Sequence, residues 1–85
     1  MVKVAWTERA IKDLENLDSS IARRILARIT WFSNNLERVI PEPLTSGLKG
    51  TFKLRIGDWR AIYTVEGKTI VIQFVGHRRE IYQVK

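Results

Sequence analysis

No cysteine occurs in the chain, so neither a disulfide framework nor a thiolate metal site holds it together, and a reducing compartment suits it. A single histidine is present, which excludes an acid–base pair of the two-histidine kind. No apolar run approaches the ~20 residues that a membrane-spanning helix needs. The opening MVKVAWTERA lacks the basic flank, apolar stretch and small-residue cleavage site of a signal peptide. The expectation is a cytoplasmic protein with no membrane partner. Carboxylates are scarce in the second half: residues 48–85 carry eight Lys and Arg against three Asp and Glu, whereas residues 1–47 carry seven against six. No cluster of carboxylates and histidine is evident to hold a catalytic divalent ion, so neither a metal nor another cofactor is expected.

What is present is ordinary globular material. Eighty-five residues, 45% of them hydrophobic, suffice for one domain, residues 1–85, with one modest core. Val2, Val4 and Trp6 alternate with Lys3 and Ala5 as in a short strand. Thr7 then offers a helix N-cap, and Ala10, Ile11, Leu14 and Leu17 follow at helical spacing to about Leu17. After the turn at residues 18–20, Ile21, Ile25, Ile29, Phe32 and Leu36 repeat every three or four residues and predict a second, longer helix. Pro41 and Pro43 stop it, and IPEPLTSGLKG reads as a connecting loop.

Three strand-like runs complete the chain: Thr51 to Ile56, Trp59 to Val65 and Thr69 to Val75, joined by turns at Gly57-Asp58 and at Glu66-Gly67-Lys68. The expected fold is α+β: an N-terminal strand, a helical hairpin, then a three-stranded antiparallel meander with the helices packed on one face. Strand alternation puts Phe52, Leu54 and Ile56 on one side and Thr51, Lys53 and Arg55 on the other, with Arg60 among the latter. These cations therefore gather on the sheet face that the hairpin leaves uncovered. Interleaved with Trp59, Tyr63, Phe74 and Tyr82, they have the electrostatic pattern of nucleic-acid binding, or equally of a solvated face. Trp6 and Trp31 read as core and interface packing.

The segments LKG, LRIGDWRAIY and GHRREIY, in register over residues 48–82, resemble the RelE/ParE superfamily of toxins from prokaryotic toxin–antitoxin modules, most nearly its RelE branch. The resemblance implies a RelE-like, microbial-RNase-like fold and a ribosome-dependent endoribonuclease that cuts messenger RNA without metal. It implies attack of a ribose 2′-OH on the adjacent phosphorus and an acidic antitoxin that wraps the toxin. It also maps catalytic roles onto Lys53, Arg60, Arg78 and Tyr82, with RNA contacts from Lys49, Arg55 and His77.

The residues fit that chemistry on their own terms, because 2′-OH attack needs a base, stabilisation of the phosphorane and an acid for the leaving 5′-oxygen. Arg60 and Arg78 offer planar guanidinium forks for a phosphate. Neighbouring cations disfavour the charged form of an amine, which makes Lys53 the candidate base. Tyr82 offers a stacking ring or a proton.

Plainer roles stand beside these. Lys53 and Arg55 also suit an edge strand guarded against aggregation. Arg60 also suits an ion pair with Asp58, His77 a surface site, and Arg79 a pair with Glu80 or solvent. Arg55 stands where some members of the family carry lysine, which leaves Lys53 alone as the base. The chain also stops three residues after Tyr82 without the terminal helix of some relatives, so the presumed active face is expected to be more open. Two rival functions share the fold: a ParE-type poison of DNA gyrase, and a non-catalytic protein that docks on RNA or the ribosome.

Overall fold

The computed structural model describes residues 2–44 and 50–81. Strand β1 (Lys3–Trp6) leads into α1 (Glu8–Glu15) and α2 (Ser19–Asn34), followed by a 3₁₀ turn (Leu36–Arg38). Strands β2 (Glu42–Pro43), β3 (Thr51–Ile56), β4 (Trp59–Glu66) and β5 (Thr69–His77) follow, and a single-turn helix α3 (Arg78–Ile81) ends the described chain. The sheet order is β1-β5-β4-β3-β2, with β1 parallel to β5 and every other pairing antiparallel.

The α+β architecture expected from periodicity is present, with differences that have physical causes. Within the expected loop, Glu42 and Pro43 add a fifth, edge strand against Lys53 and Phe52. Proline is tolerated there because an edge strand has one side with no ladder to feed. The first helix ends at Glu15 rather than Leu17. Leu36 falls in the 3₁₀ turn rather than in α2, whose stripe closes at Phe32. The last strand runs two residues beyond Val75, to His77, and α3 follows it where no terminal helix was expected.

Helix α1 starts where Thr7 makes two bonds at once. Its hydroxyl accepts from Ala10 N–H (3.1 Å) and donates to the Gln73 carbonyl (2.7 Å), which fastens the helix start to β5. Beyond Trp6, β1 no longer pairs with β5, and Asp13 of α1 takes over by accepting from Val75 N–H (3.0 Å). In α2 the buried residues Ile25, Ile29 and Phe32 recur at helical spacing and point at the sheet. They meet Leu54, Ile56, Ala61, Tyr63, Ile70, Ile72 and Val75 in one cluster. Trp6 packs against that cluster, whereas Trp31 remains 44% exposed with the Arg28 guanidinium 4.5 Å from its ring centroid.

Tyr63 is the largest side chain in this core, its ring 5.1 Å from Phe32 and 5.5 Å from Phe52. Burial first, and the Glu42 carboxylate second, push its phenol from 10.0 up to about 12. The folded protein therefore keeps a proton that the unfolded chain releases near pH 10. This contribution is complete below pH 10 and is lost as pH rises toward about 12. Urea unfolding of wild type and Tyr63→Phe across that window is expected to show wild type losing about 2–3 kcal/mol more than the variant.

Candidate nucleic-acid interface

The turn between β3 and β4 organises the site. Gly57 sits at φ +61°, a conformation that side chains rarely adopt, and with Asp58 it closes a two-residue hairpin between Ile56 and Trp59. A Cβ at Gly57 would lie 2.9 Å from Arg24 Nη2 of α2, so the glycine also admits the helix's guanidinium against the turn. Arg60 curls back from the far side, its Nη1 donating to the carbonyls of Gly57 and Trp59, both at 2.8 Å. Arg78 completes the cluster: its backbone N–H donates to Asp58 O (2.8 Å), and its Nε lies 3.8 Å from Asp58 Oδ1.

Arg60 does not lie bare on an open face. It is 8% exposed, and Asp58 pairs with Arg78 rather than with it. Burial follows from the fold. Gly76 is the cross-strand neighbour of Arg60, and α3 lays Ile81 over it, so that a Cβ on Gly76 would meet Ile81 Cδ1 at 3.3 Å. That small helix covers the end of the face nearest the turn. Among the described residues, Arg60 Nε is a buried side-chain donor with no acceptor.

Lys53, Arg55 and Arg60 share the sheet face opposite the hairpin, as the alternation implied. Arg55 stands directly across from Arg60, and Lys53 across from Ile62, which is fully buried. The other neighbour of Lys53 is Glu42, whose carboxylate also reaches Arg55 (3.1 Å). Both ends of that pair are half-exposed, so it contributes little to stability. Glu42 entered no expectation because the strand that carries it is two residues long.

His77 is not on this face. It pairs with Trp59, whose side points toward the helices, and meets that indole edge-on with 5.4 Å between centroids. Its Nδ1 accepts from Arg79 N–H (3.3 Å), which makes it a cap for α3. Arg79 itself is exposed. Lys49 and Tyr82 lie outside the described residues. Among the described residues, no group of three or more His, Asp or Glu side chains converges as a metal site would require.

A residue absent from the sequence reading is Arg9. The Thr7 bonds set the start of α1 beside β5, and the Arg9 guanidinium lies over the Phe74 ring, 4.4 Å from its centroid. Its signal in the sequence was slight, being one cation in the first turn of an amphipathic helix.

A helical hairpin on one face of a five-stranded sheet, with arginines gathered at one hairpin turn and cations on the other face, defines a class of small toxin. The chain belongs to the RelE/ParE superfamily of type II toxins: the family described as "ParE toxin of type II toxin-antitoxin system, parDE" matches residues 4–82. Toxin RelG of Mycobacterium tuberculosis is 36% identical over 86 residues, covering 94% of each chain. Toxin RelE3 of Methanocaldococcus jannaschii is 30% identical over 84 residues, covering 95% of this chain and 96% of its own. A chain in the crystal structure of the toxin–antitoxin complex RelBE2 from Mycobacterium tuberculosis superposes with a TM-score of 0.78 at 32% identity, covering 91% of this chain and 98% of that one.

The different settings of Arg60 and Arg78 separate their effects on folding. Arg60→Ala removes both bonds to the turn and is expected to cost about 1–3 kcal/mol in urea unfolding. Arg78→Ala, which removes a half-exposed side chain with a long ion pair, is expected to stay within about 0.5 kcal/mol of wild type.

Proposed function

We propose that this toxin is an endoribonuclease that cleaves messenger RNA on the ribosome and so stops translation in the cytoplasm. One observation carries the reading: Arg55 and Arg60 are directly opposed across β3 and β4. Like charges in that position repel and cost stability. Glu42 offsets that repulsion only from a half-exposed pair with Arg55, and a phosphate bridging the two guanidinium forks with bidentate acceptor geometry would offset it further. The unmet Arg60 Nε donor on the same face supports it.

In the proposed reaction, Lys53 removes the proton from a ribose 2′-OH, and the 2′-oxygen attacks the adjacent phosphorus in line. Charge that builds on the phosphorane oxygens is met by Arg60 and Arg78. The bond from phosphorus to the 5′-oxygen breaks, and that oxygen takes a proton, with Tyr82 as the candidate donor, leaving a 2′,3′-cyclic phosphate and a 5′-hydroxyl. Lys49 and Arg55 would hold the flanking backbone. Among the described residues no group of His, Asp or Glu converges there, which favours a route without metal. With a single lysine to move the proton, much of the rate must come from positioning, and the ribosome holding the message in line supplies it.

Primer extension on one message, translated or naked, tests this directly. Cleavage is expected on the translated copy only and unchanged by EDTA, with Lys53→Ala and Arg78→Ala each lowering it about 10²–10³-fold. Equal cutting of naked RNA would remove the ribosome from the mechanism. Intact messages accompanied by DNA breaks on expression would favour the gyrase poison, and intact messages with stalled translation a non-catalytic block.

The partner proposed for regulation is a cognate acidic antitoxin that wraps the toxin and brings carboxylates to Lys53, Arg55, Arg60 and Arg78. Charge complementarity sets the association rate, while apolar contacts set the dissociation rate. Surface-plasmon kinetics are expected to show association slowing as salt rises, with dissociation nearly unchanged. A Lys53, Arg55, Arg78 triple alanine variant is expected to associate more slowly at low salt. An unchanged rate would place the antitoxin on another surface.

A further inference from the structure

Strand β5 carries an irregularity that regular alternation does not provide for. Ile62 of β4 pairs with Phe74 while the next residue, Tyr63, pairs with Ile72, so Gln73 is an extra residue in a bulge. In a regular strand Gln73 and Phe74 would point to opposite faces. The bulge re-aims them, and both line the same groove. That groove, about 550 Å³ and open to solvent, is completed by Thr7 and Arg9 from the start of α1 and by Thr51 and Thr64 from the neighbouring strands.

The groove has the parts of a base-recognition site. The Arg9 guanidinium carbon lies over Phe74, 4.4 Å from the ring centroid, so ring and cation together offer a surface on which a base can stack. Gln73 Nε2 donates to Thr64 Oγ1 (3.0 Å), which fixes the amide. Its Oε1 and the hydroxyls of Thr64 and Thr51 are then a mixed set of acceptors and donors beside that plane. Thr51 is two residues from Lys53 on the same face of β3, a step of about 7 Å along the strand. Phe74 stands across Ile62 from Lys53 on the same three-strand rung. The groove is therefore continuous with the cationic face and one step removed from its lysine.

We propose that this groove is a nucleobase subsite: it takes one unstacked base of the single-stranded RNA whose backbone lies along Lys53, Arg55 and Arg60. The inference rests on the ribonuclease reading above and adds to it the residues that read sequence. Arg9 and Phe74 supply the stacking surface, and Gln73, Thr64 and Thr51 discriminate among base edges. Phosphate contacts hold the strand without reading it, whereas this groove makes cleavage depend on one position of the codon.

The test uses translated reporter messages that differ by A, C, G or U at one codon position at a time, with cleavage mapped by primer extension. Wild type is expected to prefer certain bases at one position. Arg9→Ala and Phe74→Ala are expected to lower cleavage at the preferred bases by about 5- to 150-fold, the worth of one base–aromatic stack, and to leave the disfavoured bases nearly unchanged. Arg9→Lys keeps the charge without the plane and is expected to fail to restore the preference. A thermal melt of each variant shows whether the fold is retained. For Phe74, Phe74→Tyr retains the stacking ring and is expected to keep the preference. Loss of cleavage that is uniform across all bases, or full rescue by Arg9→Lys, would overturn the subsite while leaving the ribonuclease intact. Absence of cleavage by wild type at every message would instead overturn the ribonuclease reading on which it stands.

Discussion

The buried guanidinium of Arg60 is the constraint on which the site depends. One nitrogen of this side chain donates to the carbonyl of Gly57 in the turn and to that of Trp59 at the start of β4. The turn is thereby held against β4 while Asp58 faces outward to receive Arg78. Because an arginine keeps its charge at any accessible pH, the positive field at this corner cannot be relieved by losing a proton. It must be met by carbonyl dipoles, by the Asp58 carboxylate nearby, or by an anion from outside. Arg24 and Arg78 approach the same turn, where the Asp58 carboxylate pairs with Arg78. A corner so arranged is stable enough to fold and still has positive charge left for a polyanion.

The same economy explains what could be read in advance. Helical and strand periodicity found both long helices, β1 and the meander, because burying one face of each element imposes a repeat that residues such as Ile25, Ile29 and Phe32 display openly. Alternation also placed Lys53, Arg55 and Arg60 on a common face. Depth was not legible. Whether Arg60 is bare or buried depends on Ile81 folding back over Gly76, a contact between a one-turn helix and a strand that no local pattern encodes. The setting of His77 was not legible for a related reason: β5 continues two residues past Val75, and the added length sets the imidazole against Trp59. Strand β2 escaped because two residues, one of them proline, have no periodicity.

The bulge in β5 marks a different limit. A single extra residue changes which side chains share a face, and it changes nothing in composition. Gln73 read simply as a polar interruption in an apolar strand. In the fold it sits beside Phe74, and Thr7 anchors the helix that brings Arg9 to them through the carbonyl of that same Gln73. Residues at positions 7, 9, 51, 64, 73 and 74 thus converge through one hydroxyl bond and one bulge.

Removing His77 from the open face sharpens the chemistry that remains. Among the described residues of that face, arginines can bind and neutralise a phosphate but cannot exchange protons near neutral pH. Lys53 lies on that face between Glu42 and the buried Ile62. A site with strong electrostatics and no strong acid–base pair stabilises charge well and activates a hydroxyl poorly. Such a site depends on a substrate already held near its reactive geometry, because proximity and alignment compensate for weak acid–base chemistry. Dependence on the ribosome, in the proposed function, follows from this imbalance: the toxin contributes the charge, and the translating ribosome contributes the geometry.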